Sequence, residues 1–170
     1  MTAPRVLGLD LSITATGVAM PEGSVTTWRH KADLGDRRLV AIHHSLYEAV
    51  AFDDLALVVI EDLPVNARAG GVTGMVQGVV RRLLLDQGVP YLLVPPATLK
   101  KYATGRGNAT KDDMRMEFYK RAGLDLRDNN QVDAAFLRLA GLDLLGSPEI
   151  VMPASHRTAL DALRGEVGHA

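Results

Sequence analysis

The sequence predicts one α/β domain, a mixed five-stranded sheet with helices on both faces. Three observations carry this. Three short strand-like segments joined by tight turns open the chain at 5–10, 15–20 and 24–29, with Pro21-Glu22-Gly23 marking the second turn. Two continuous apolar runs, 55–60 and 91–94, read as strands covered on both faces. Helical patterns alternate with those runs, and a meander followed by β-α-β units gives a mixed sheet.

Each element has its own signal. Over 34–51, Leu39, Ile42, Leu46 and Val50 recur at helical steps and build one apolar face. A second helix is predicted from Gly71 to Asp86, ended by Gly88. Pro95-Pro96 stops the 91–94 strand, and a short helix follows over 97–103. The polar, glycine-containing stretch 104–110 is a loop, and Lys111 to Ala122 is a helix. Asp128 or Asn129 caps a last core helix running to about Leu144. One more helix is expected near 155–165, so the domain spans 1–170 with a core over about 5–145 and a C-terminal extension over 146–170.

Composition narrows the class. The chain has 170 residues, 47% of them hydrophobic, enough for a real core. No apolar run is long enough to cross a bilayer, and the first residues lack the layout of a secretory leader. With no cysteine there is neither a disulfide nor a thiolate metal site, and a cytoplasmic protein is expected. The formal charge is −1, so any nucleic-acid contact must use a local basic patch.

The chemistry-bearing residues are acidic. The first apolar run ends in Asp10 and the fourth strand in Glu61, while Asp133 stands near the start of a helix rich in small residues, Ala134, Ala135, Ala140 and Gly141. A charge at the end of an apolar strand is costly unless it is paired or binds a cation. Asp128 and Asn130 add oxygen donors, and Asn130 shares a helix face with Asp133. Such oxygen sets suit a hard cation such as magnesium. Each residue also has a plainer role. Asp10 could open a turn, Glu61 be an ordinary strand-end charge, Asp133 be solvated, and Asp128 be a cap.

Gly8-Leu9-Asp10-Leu11-Ser12 with Thr16-Gly17, then Val59-Ile60-Glu61, then Asn130-Gln131-Val132-Asp133-Ala134-Ala135 resemble, in order, the motifs of the RuvC family of Holliday-junction resolvases, within the RNase H-like superfamily. The resemblance implies an RNase H-like fold. It also implies that Asp10, Glu61 and Asp133 are catalytic carboxylates holding two Mg2+ ions, with Mn2+ as a substitute. The family has a further acid where this chain has Asn130, which weakens one subsite or leaves Asp128 to take its place. By the same resemblance Lys111 assists the reaction, the 71–86 helix joins two copies into a homodimer, and the substrate is branched DNA in recombination and repair. The family's aromatic wedge after the second motif is missing from Leu63-Pro64-Val65-Asn66, so junction opening or sequence preference is expected to differ.

Two divalent ions about 3.5–4 Å apart can activate the attacking water and stabilise the leaving oxygen of a phosphodiester. Lys111 is the candidate cation for the transition state, with a solvated helix start as its plainer role. Lys100, Lys101, Arg106 and Lys111 form the basic cluster that would neutralise phosphates, with Arg68 and Ser12 as further DNA contacts. Tyr102 either stacks on a base or is core. Gly71, Gly74 and Gly78 share one side of their helix, which suits close packing on a second copy or on the chain's own sheet. The expected function is a magnesium-dependent, structure-selective endodeoxyribonuclease cutting Holliday junctions or other branched DNA. The alternatives are an RNase H-like nuclease on flaps or RNA–DNA hybrids, and a catalytically silent nucleic-acid-binding module.

Overall fold

A computed structural model describes residues 3–51, 54–63 and 70–166 of the chain. Strands β1 (Val6–Asp10), β2 (Ala15–Ala19) and β3 (Val25–Arg29) form an antiparallel meander, and β4 (Leu57–Glu61) and β5 (Tyr91–Val94) join it in parallel. The sheet order is β3-β2-β1-β4-β5. Helices α1 (Arg37–Val50) and α2 (Gly70–Asp86) precede and follow β4. Then come α3 (Pro96–Thr104), α4 (Lys111–Ala122), α5 (Asn129–Leu144) and the short α6 (Ala154–Arg157).

Strand alternation divides the core in two. Leu7, Leu9, Val58 and Ile60 face α1 and α2, packing with Ile42, Leu46, Val80 and Leu84. Val6, Leu57, Val59, Leu92 and Val94 face the opposite way, onto α3, α4 and α5. Asp10 and Glu61 share the parity of Val6 and Leu57, so the two-residue period sends both toward the α5 side. The parallel register pairs Gly8 with Val59 and Leu9 with Ile60, which brings the acidic strand ends side by side.

Helix α5 lies unusually close to the sheet. A Cβ on Gly8 would overlap the Ala134 carbonyl oxygen, and one on Gly17 would overlap that of Asn130. On Gly141 a Cβ would stand 2.7 Å from both Val6 and Val59. The predicted small-residue packing is therefore reciprocal, with glycines on strands and helix alike.

Two boundaries depart from expectation. The helix predicted over 34–51 begins at Arg37, after a separate 3-10 turn over Ala32–Leu34, because Asp36 makes no side-chain cap that would start it earlier. The helix expected near 155–165 is split into α6 and a 3-10 turn over Thr158–Leu163. There Leu160 and Leu163, three apart, both enter the core, a spacing the 3-10 geometry eclipses. Tyr102 is fully buried, its hydroxyl 3.5 Å from Asp143, so it is core and not a stacking platform. Asp143 is itself wholly buried and held by the Arg157 guanidinium at 2.7–2.9 Å, which pins the C-terminal segment against α5.

Candidate functional site

The site stands where β1 and β4 end and α5 begins. Asp10, Glu61 and Asp133 are all half-buried there. Asp10 and Glu61 stand close enough for each to perturb the other, and the charge of Asp133 acts on both. Burial, then the Asp133 charge, raises Asp10 to about 7. Burial, then the charges of Asp10 and Asp133, raises Glu61 to about 8. Burial raises Asp133 to about 6 against the opposing pull of Lys111 and Lys100. Three acids from distant parts of the chain thus share one electrostatic neighbourhood, with two lysines at its rim.

Local folding explains each position. Beyond Asp10 the chain turns at Ser12, whose N–H donates to Thr16 Oγ1 at 3.2 Å and whose carbonyl accepts from that hydroxyl at 2.8 Å. The Ser12 hydroxyl lies 3.4 Å from Thr14 Oγ1, at the surface. The Glu61 carbonyl accepts from Gln77 Nε2 at 3.0 Å. Gln77 is buried on α2, and sequence reading missed it, although a lone amide between Val76 and Val80 in an apolar stripe was a usable signal. Lys111 is the first residue of α4, placed by a capping box between Thr110 and Asp113. Lys100 was expected only as a phosphate contact. Its place on α3 brings its charge onto Glu61 and Asp133 as well.

The other expected residues are distributed as follows. Asp128 caps α5, one oxygen accepting from the Asn130 N–H at 3.0 Å and the other from Thr27 at 2.9 Å and Arg29 at 2.8 Å. Its carboxylate is therefore engaged, and the capping role is the one the geometry displays. Asn130 donates its amide to the Ala15 carbonyl at 2.7 Å, anchoring α5 on β2. Lys101 is exposed on α3, and Arg106 is exposed but paired with Asp113 at 3.1 Å. Arg68 lies outside the described residues. A Cβ added at Gly71 or Gly78 of α2 would meet nothing within 4 Å among the described residues, and at Gly74 only the tip of Leu63, so among those residues these glycines do not serve packing onto the chain's own sheet.

Among the described residues no three acids or histidines close into a ready ion cage. The donor set nonetheless fits a hard cation. It is all oxygen, burial raises all three carboxyls and like charge raises two of them, and a divalent ion would offset that crowding. Asp10, Glu61 and Asp133 are the residues that would hold such an ion.

A five-stranded sheet in the order 3-2-1-4-5, with the first three strands antiparallel and helices on both faces, is the RNase H-like fold. Comparison with solved structures narrows this to the RuvC form. A structure of Thermus thermophilus RuvC matches with a TM-score of 0.67 at 20% identity, covering 86% of this chain and 99% of that one. T. thermophilus RuvC in complex with a Holliday junction substrate matches with a TM-score of 0.70 at 19% identity, covering 86% and 98%. No family model matches the sequence. Among the described residues no helix is long and apolar enough to cross a membrane.

Proposed function

We propose that this chain is a divalent-metal-dependent endodeoxyribonuclease that cuts branched DNA, four-way junctions foremost. The observation that carries the reading is the convergence of Asp10, Glu61 and Asp133, each raised by burial, beneath Lys100 and Lys111. The likeness in fold to a resolvase solved on a junction supports the choice of substrate. When bound, magnesium supplies a polarised water and stabilises charge on the leaving oxygen. Asp10, Glu61 and Asp133 hold it. Lys111 and Lys100 stabilise negative charge building on the phosphate, and Lys101 and Arg106 anchor flanking phosphates. Two copies of the chain, joined through the open glycine side of α2, would present two such sites.

The test is cleavage of a labelled four-way junction with and without magnesium, beside flap, RNA–DNA hybrid and plain duplex. Magnesium-dependent nicking of the junction in preference to the others is the expected result. Preference for flap or hybrid moves the substrate within the same chemistry. One observation favours a second reading, a binding module without activity. Asn130 stands in for an acid, and Asp128 is engaged elsewhere. Calorimetric titration decides between them, since junction binding with no magnesium or manganese uptake would establish the silent module.

A further inference from the structure

Along the middle of α5, at Ala135, Arg138 and Leu139, a cavity of about 190 Å³ opens between the β2–β3 turn, α4 and the 149–150 segment. Its walls include Ala19, Val25, Phe118, Leu139 and Ile150, and its one buried cation is Arg138. That residue is only 7% exposed. One terminal nitrogen, Nη2, donates to the Pro21 carbonyl at 2.8 Å and stands 2.6 Å from a Glu149 carboxylate oxygen. The Arg138 Nε is buried and has no hydrogen-bond partner among the described residues.

A buried donor left unpaired is costly. Nε–H and Nη2–H form the parallel pair to which a carboxylate binds with both oxygens. Glu149 approaches the Nη2 member, from a surface position where its side chain is 52% exposed. It is thus a replaceable occupant. We propose that this cavity binds a small monocarboxylate with an apolar body, of about the size of benzoate, whose two oxygens take the Arg138 Nε–Nη2 edge in place of Glu149. The volume agrees, because an apolar cavity of about 150 Å³ holds benzene. The walls exclude a highly charged ligand such as a nucleotide, since no second cation among the described residues lines the space. None of Asp10, Glu61 and Asp133 lines this site, which does not depend on nuclease activity.

The probe is benzoate, with benzamide as the neutral control of the same shape, followed by calorimetry and by amide chemical shifts of the full chain. Saturable benzoate binding near the millimolar range is expected, with shifts centred on Val25, Leu139 and Ile150. Glu149→Ala removes the competitor and should tighten benzoate binding about tenfold while leaving benzamide unchanged. Arg138→Met should abolish benzoate binding, and if that variant does not fold, the Glu149→Ala and benzamide arms decide alone. Benzamide binding as tightly as benzoate would overturn the carboxylate assignment. Failure of both wild type and Glu149→Ala to bind benzoate at about 10 mM would overturn the site.

Discussion

Single residues set the chemistry here through burial and like charge. Asp10, at about 7, and Glu61, at about 8, lie well above the range of a carboxylate in an unfolded chain, as does Asp133, at about 6. The folded protein therefore holds protons that the unfolded chain has released, and stability falls as pH rises. The stabilising contribution of the neutral forms is complete below about pH 4 and is lost between about pH 5 and 8. Metal-free protein should accordingly melt at a lower temperature at pH 8 than at pH 5.5, and magnesium should restore more at the higher pH. Asp10→Asn should melt higher than wild type at pH 8 without metal, lose detectable junction cleavage, and still shift junction DNA in a gel. Full cleavage by that variant would remove the metal-site proposal. Lys111→Ala should slow cutting about 10²-fold or more with little change in binding, as expected for a group acting on developing charge. Equal losses in both would make it a phosphate anchor instead. The three acids were legible in sequence because each closes or opens an apolar element. The Arg29 and Thr27 partners that engage Asp128 were not, since those contacts join residues about a hundred positions apart.

At the scale of elements, the site is assembled by backbone proximity. Gly8 and Gly17 let α5 rest directly on β1 and β2, which sets the offset between Asp133 and the strand-end acids. Gly17→Ala must push the Asn130 carbonyl away, and a cost of about 1–3 kcal/mol is expected, as for overpacking elsewhere. Urea denaturation would measure it, and an unchanged midpoint would show that the helix can retreat freely. The strands and the cap of α5 were readable because alternation and capping are local. The C-terminal segment was read less well. Its shape follows from Leu160 and Leu163 entering the core and from Arg157 reaching the buried Asp143, and neither partner is near in sequence. Tyr102, placed by its helix position alone, could equally have faced outward until its burial against α5 was seen.

For the molecule as a whole, the sheet separates two surfaces. The acids and lysines lie on the α5 side, while Met75, Gly78 and Val79 line an open apolar hollow with Leu39 and His43 on the α1–α2 side. In the proposed dimer that second surface is covered. Sedimentation should show a dimer, and Met75→Glu should give a monomer with its acid site intact. A monomeric wild type would leave the hollow without this role. The crowding of Glu61 and Asp10 also alters the charge of the whole molecule. The formal charge of −1 counts both side chains, and Asp133, as ionised. A molecule that keeps protons on Glu61 and partly on Asp10 near neutrality is less anionic than its composition implies, so stripped of cations it should focus above the isoelectric point of about 6.5 that composition alone assigns.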